Sequence, residues 1–199
     1  IFHKIESVVN TETIISSNIS TLMISDLAEI LKNPGRAVGI HFIEPIDKTT
    51  IVEVVKGVKS TKEAHEKVMR FCQLIRKKGV CVNESPGNIS TRMLIPIINE
   101  ACEILLEGIA TIDDIDLTMR ETFGHNIGPF EMADKIGLDK ILKYMENLYA
   151  EYGESKYKAS PVIKRLVRAN HFGRYSGNGF YNYDNDKPVS NNLTHALVR

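Results

Sequence analysis

The stretch Gly39–Gly57, GIHFIEPIDKTTIVEVVKG, decides how the rest of the chain is read. It splits into two short β-rich runs, Ala37–Phe42 (AVGIHF) and Thr50–Val55 (TIVEVV), joined by a polar turn around Pro45 and Asp47. His41 sits at the end of the first run, and Glu53 stands midway along the second, between Val52 and Val54. A carboxylate buried among β-branched side chains is costly unless a partner meets it. An imidazole is the cheapest partner, and once the carboxylate fixes one ring nitrogen the other is free to act as a general base. The plainer alternative has Glu53 facing solvent from an edge strand and His41 as an ordinary strand-end residue.

Working outward, Ile1–Val9 reads as the tail of an amphipathic helix, with Ile1, Phe2, Ile5, Val8 and Val9 on one stripe. Thr13–Ser17 is a β-rich run ending at Asn18. Ser25 is placed to cap a helix from Asp26 to Leu31, which Asn33, Pro34 and Gly35 stop. Ser60 with Glu63 has capping-box spacing and opens a helix to about Lys77. Gly79 ends it, and Val80–Asn83 makes one more strand. Residues 1–84 therefore alternate helix and strand, which predicts an α/β sheet with parallel neighbours.

Ser85, Pro86 and Gly87 mark a change of class. From Ile89 to Leu106 the apolar residues recur at helical spacing, with Pro96 inside the pattern. Thr111 and Asp114 have capping-box spacing and open the next helix, which Gly124–Met132 (GHNIGPFEM) breaks. Leu138–Gly153 and Ser160–Ala169 supply two more, and Gly173–Tyr183 (GRYSGNGFYNY) reads as a turn and a short extended segment. No strand is expected after residue 85. The fold class is α/β followed by all-α, with boundaries at 1–85 and 86–185 and a polar tail over 186–199.

Composition narrows the function classes. The 199 residues carry 25 basic and 25 acidic side chains, so there is no basic surplus to serve a nucleic-acid binder. No apolar run has membrane-spanning length, which predicts no membrane segment. Cys72, Cys81 and Cys102 are an odd, scattered set without a CxxC pair, which argues against a disulfide framework and for a reducing, cytoplasmic compartment. No His, Cys and carboxylate residues share metal-ligand spacing, so no metal is expected; His65, His125, His171 and His195 read as solvated or helix-end residues.

The ordered blocks SSNIST (Ser16–Thr21), GIHFIEP (Gly39–Pro45), IVEVVKG (Ile51–Gly57), ESPGNISTRMLIPIINEA (Glu84–Ala101), IGPFEMADKIGLD (Ile127–Asp139) and GRYSGNGFYNY resemble the NAD-dependent L-3-hydroxyacyl-CoA dehydrogenases, particularly the 3-hydroxybutyryl-CoA branch. The resemblance runs from Ile1 to about Tyr183. It implies the second half of a Rossmann-type nucleotide-binding domain followed by a C-terminal helical dimerisation domain. It also implies an acyl-CoA substrate, NAD as cofactor and a homodimer formed through the helical domain.

The resemblance places His41 on the catalytic histidine and Glu53 on the glutamate that orients it. Ser20 falls on a substrate-binding serine beside the nicotinamide, with Asn18 in the same cofactor-facing turn. Three positions depart from the pattern. Thr91 stands where the family's PGFxxNR block has an active-site Asn, and offers a hydroxyl of shorter reach. Glu44 replaces the Asn of HFFNP, placing a negative charge where the family contacts the dinucleotide, and Tyr175 replaces a basic residue of the GRKSGKGFY block. Asn88, in place of an aromatic or apolar residue, is expected to make the site entrance more polar. A Rossmann domain opens with a strand, a GxGxxG turn and an acidic residue; none of these occurs here, and the absent half would need on the order of 90 residues. The stretch by itself is therefore not expected to bind NAD normally. Alternatives are a dehydrogenase of a small 3-hydroxy acid or sugar acid, and a non-catalytic paralogue kept as a dimerisation scaffold.

Overall fold

The computed structural model describes residues 1–184 and 188–191. Most of the expected polar tail, including His195, lies outside the described residues. The chain divides into two compact units, Ile1–Arg92 and Met93–Arg199.

In the first unit a short helix α1 (Phe2–Glu6) precedes β1 (Ile15–Asn18), α2 (Ile24–Ala28), β2 (Ala37–Phe42), β3 (Ile51–Lys56), α3 (Lys62–Leu74) and β4 (Lys78–Asn83). The strands form one sheet in sequence order. β1–β2 and β3–β4 are parallel, as the alternation of helix and strand predicts, but β2–β3 is antiparallel. The reason is local: residues 43–50 form a turn rather than a crossover helix, and only antiparallel strands can be joined so tightly. Lys77 anchors that turn by donating to the carbonyls of Ile46 and Thr49.

Period-two alternation sorts the side chains between two faces. Val38, Ile40, Val52 and Val54 pack against Ala64, Val68 and Cys72 of α3. Ala37 and Val55 belong to the opposite cluster, with Phe2, Ile24 and Leu31. Gly39 lies in register with Val55, and a Cβ there would come within 2.8 Å of Ile19 Cδ1 and 2.9 Å of Val55 Cβ. Only glycine admits that close approach of Ile19 to the sheet.

Several local expectations shift. Ser25 is not a cap; it lies inside α2, whose N-cap is Met23, and Glu84 instead accepts from Ser25 N (3.0 Å) and from Val58 N (3.1 Å). Thr61, not Ser60, caps α3, accepting from Ala64 N at 3.2 Å. Ser60 Oγ is spent on sheet closure, donating to Ala37 O and accepting from Gly57 N. Gly79 does not end α3 but lies within β4, pressed under Met69, where a Cβ would meet Sδ at 2.7 Å. Of the N-terminal stripe, Phe2 and Ile5 pack inward while Ile1 and Val8 face solvent. His65 is half-buried rather than solvated.

Helix α4 (Ser90–Leu106) begins in the last residues of the first unit and carries Pro96 in its interior. The second unit continues with α5 (Ile112–Phe123), α6 (Pro129–Ile136), α7 (Leu138–Tyr152) and α8 (Pro161–Arg168) around a core that includes Ile98, Leu105, Phe130, Met145, Ile163 and Phe180. Thr111 caps α5 as its spacing predicts, and Ser160 caps α8 ahead of Pro161. The break expected over Gly124–Met132 ends at Gly128, and α6 starts at once with Pro129 in its first turn. The expectation of no strand after residue 85 also fails, by a small margin: β5 (Tyr181–Asn182) pairs antiparallel with β6 (Val189–Ser190).

Two aspartates with no solvent exposure, Asp116 and Asp134, hold this second unit together. Asp116 accepts from the amides of Phe130 and Glu131 at 2.9 Å each and from Tyr181 Oη at 3.0 Å. It thereby satisfies the orphan donors of α6, whose own N-cap, Gly128, has no side chain to do so. Asp134 accepts from Phe180 N and Tyr181 N at 2.9 Å and from Tyr183 Oη at 3.0 Å. Gly179 lies directly over this carboxylate, and a Cβ there would fall 2.1 Å from Asp134 Oδ1.

Candidate active site

His41 and Glu53 are cross-strand partners in the antiparallel pair, so their side chains project from the same face of the sheet. The imidazole Nδ1 lies 2.7 Å from Glu53 Oε2. Alternation explains why the flanking valines do not intervene: Val52 and Val54 point to the α3 face, leaving Glu53 on the other. Glu53 is 2% exposed, and the imidazole is largely buried with one edge open. The edge-strand alternative is excluded, since β3 is central, flanked by β2 and β4.

The carboxylate is held from a second direction. Glu53 Oε1 accepts from the backbone amides of Ile89 (3.1 Å) and Ser90 (2.8 Å), and Ser90 Oγ donates to Oε2 at 3.0 Å. Glu53 thus caps the amino end of α4 while it binds the imidazole, and both of its oxygens are saturated with donors. Burial pushes its carboxyl upward, but the hydrogen bonds from His41 and Ser90 outweigh that and hold it below the ordinary 4.5. Glu53 is consequently an anion near neutral pH and an acceptor for a proton on His41 Nδ1, the tautomer in which Nε2 is the basic nitrogen.

The turn before α4 is tied to the end of β1. Gly87 N donates to Ser20 O at 2.9 Å, and Asn88 Nδ2 donates to Ile19 O at 3.3 Å. The fold therefore gathers Ser20, His41, Glu53 and the first turn of α4 within the first unit. Asn88 does not enlarge a polar entrance: it is 5% exposed, with φ at +48°, a conformation that Asn tolerates better than most residues. Thr91 follows Ser90 in the same turn and is buried at 5% exposure.

The residues expected to face the dinucleotide are less tightly gathered. Asn18 ends β1, and its Oδ1 accepts from Phe42 N at 3.1 Å, closing the carboxyl ends of β1 and β2. Asn18 and Ser20 stand at the carboxyl edge of parallel strands, where open α/β sheets bind ligands. That placement fits the nicotinamide end of a dinucleotide. The phosphate-binding glycine turn has no counterpart in this sequence. Glu44 is exposed in the turn after β2. Tyr175 belongs to the second unit, 61% exposed, with its ring stacked on Phe172 at 5.9 Å.

Ser90 and the amides of residues 89 and 90 escape the sequence reading. The one available signal is a serine at the start of a helical pattern, which points to a cap for its own helix rather than to a distant carboxylate. Among the described residues, no three His, Cys, Asp or Glu side chains gather as a metal site, and no helix is long and apolar enough to cross a membrane.

Comparison with known proteins adds family evidence. Residues 1–85 match the family described as 3-hydroxyacyl-CoA dehydrogenase, NAD binding domain, and residues 87–183 match 3-hydroxyacyl-CoA dehydrogenase, C-terminal domain. The chain is 38% identical over 184 residues to a 3-hydroxybutyryl-CoA dehydrogenase of Clostridioides difficile, covering 92% of this chain and 66% of that protein. It is 38% identical over 183 residues to a probable 3-hydroxybutyryl-CoA dehydrogenase of Bacillus subtilis, again over 92% of this chain and 64% of the relative. Among solved structures, the (S)-3-hydroxybutyryl-CoA dehydrogenase of Ralstonia eutropha matches with a TM-score of 0.88 at 35% identity, over 92% of this chain and 65% of that one. The chain thus spans slightly less than two thirds of the length of these relatives.

Proposed function

This chain belongs to the 3-hydroxyacyl-CoA dehydrogenase family, and from that premise we propose that it forms the acid–base side of an NAD-dependent oxidation of (S)-3-hydroxyacyl-CoA to 3-oxoacyl-CoA. Short substrates such as 3-hydroxybutyryl-CoA are favoured by the names of the relatives. One observation carries the proposal: the 2.7 Å contact between His41 Nδ1 and the buried Glu53 leaves Nε2 as the free basic nitrogen.

In this reading His41 Nε2 takes the proton of the substrate 3-hydroxyl, and in the reverse direction returns it to the forming alkoxide. Glu53 keeps the ring in the Nδ1–H tautomer and stabilises the imidazolium as it forms. Ser20 donates a hydrogen bond to the substrate oxygen, and Thr91 supplies a second hydroxyl from α4. NAD would supply a hydride acceptor, with Asn18 and Ser20 at its nicotinamide end and Glu44 near the rest of the dinucleotide. We further read the protein as a homodimer formed through the helical unit. A cytoplasmic location suits its three free cysteines.

The test is NADH oxidation with acetoacetyl-CoA by the full-length gene product. His41→Gln is expected to lower kcat by roughly 10²–10⁴-fold with the fold intact, the usual contribution of a general acid–base group. Unchanged turnover in that variant would overturn the assignment.

A further inference from the structure

Both oxygens of Glu53 are occupied, but by groups of different kinds. Oε1 takes only backbone amides, those of Ile89 and Ser90, which any residue at these positions except proline would supply. Oε2 takes the His41 imidazole at 2.7 Å and the Ser90 hydroxyl at 3.0 Å, and Ser90 Oγ also approaches His41 Nδ1 at 3.4 Å. Nδ1, Oε2 and Oγ therefore form a closed triangle. A serine in the first turn of a helix ordinarily turns its hydroxyl to an amide of that helix; Ser90 turns it to the carboxylate that the imidazole uses.

We infer that Ser90 is a positioning residue for the His41–Glu53 pair, sharing Oε2 with the imidazole and limiting how strongly that oxygen holds Nδ1–H. Two donors on one carboxylate oxygen divide its electron density, so each hydrogen bond is weaker than it would be alone. The backbone amides already orient the carboxylate, so the side chain has a separable role: it adjusts the strength of the pair, not its existence. The inference rests on His41 being the acid–base group, as proposed above.

The experiment is ¹H,¹⁵N NMR of the imidazole of His41 in the full chain, comparing wild type, Ser90→Ala and Ser90→Thr. In Ser90→Ala the Nδ1 proton resonance is expected to move downfield, because the Glu53–His41 bond strengthens once its competitor is gone. Ser90→Thr keeps the hydroxyl and is expected to return the resonance toward the wild-type position. An Nδ1 proton that does not move in Ser90→Ala, in a variant whose amide spectrum shows the native fold, would overturn the role of Ser90 while leaving the pair standing. A neutral wild-type ring protonated on Nε2 instead of Nδ1 would overturn the pair, and the role of Ser90 with it.

Discussion

Glu53 in the first unit and Asp134 in the second are both almost free of solvent, and both accept backbone N–H groups from segments distant in sequence. Their surroundings differ in one respect. The remaining donor to Asp134 is a tyrosine hydroxyl, whereas Glu53 takes a serine hydroxyl and an imidazole. Burial dominates at Asp134, helped by the neighbouring Asp116, and pushes its carboxyl up to about 6. At Glu53 burial also acts upward, but the hydrogen bonds from His41 and Ser90 overcome it and the carboxyl stays below its ordinary value. The same device, a buried carboxylate gathering loose amides, gives a structural clamp in one unit and a chemically responsive pair in the other. The difference lies in the imidazole among the side-chain partners, not in burial.

Asp134→Ala gives the strongest test of that contrast. It would leave the amides of Phe180 and Tyr181 and the hydroxyl of Tyr183 without their acceptor, at a cost on the order of 4 kcal/mol in urea unfolding. The NMR signals of the His41 ring should not change. Loss of the native His41 signals in a folded Asp134→Ala protein would break the contrast.

The next effect is in pH. Between the ordinary 3.8 and its folded value of about 6, Asp134 binds more protons in the folded state than in the unfolded one. Its contribution is therefore largest at the acid end and is lost as pH rises through about 6, a change of roughly 2–3 kcal/mol. Glu53 has the opposite sign: its contribution is complete above the ordinary 4.5 and is lost as pH falls through its lowered folded value. Unfolding free energies of wild type, Asp134→Asn and Glu53→Gln between pH 3.5 and 7 should show opposed slopes in the two differences. Slopes of the same sign would mean that the two carboxylates are alike after all.

The smallest effect calibrates the others. Thr111 caps α5 locally, accepting from Asp114 N at 3.2 Å on an exposed surface, so Thr111→Ala should cost about 1 kcal/mol. A loss as large as that of Asp134→Ala would show that capping, rather than burial, sets the scale.

Much of this was legible in the sequence wherever the signal is local. The β-rich runs around His41 and Glu53, the capping pair at Thr111 and Asp114, and Pro161 after Ser160 depend on neighbours a few residues away, and each appears where its pattern placed it. What escaped depends on distant partners. Helix α6 hides behind Gly128 because its cap is Asp116, on another helix. Ser60 carries the right spacing for a cap, but tertiary contacts with Ala37 and Gly57 claim its hydroxyl and Thr61 takes the role. The His41–Glu53 pair was readable only together with the resemblance, because a carboxylate between valines also fits an exposed edge strand. Ser90 was not, because a helix-start serine has many.

The clamp on Asp134 also bears on the order in which the chain can be assembled during translation. Asp116 meets the amides of α6 soon after they emerge, but its tyrosine partner, and the donors to Asp134 among the described residues, lie between Phe180 and Tyr183. Until the ribosome has released those residues, the second unit cannot close without stranding a carboxylate in an apolar interior. The helices can form early, yet the last few residues of the GNGFYNY stretch act as the latch, and a nascent or clipped chain ending before Phe180 would remain open to proteases and chaperones however complete its helices are.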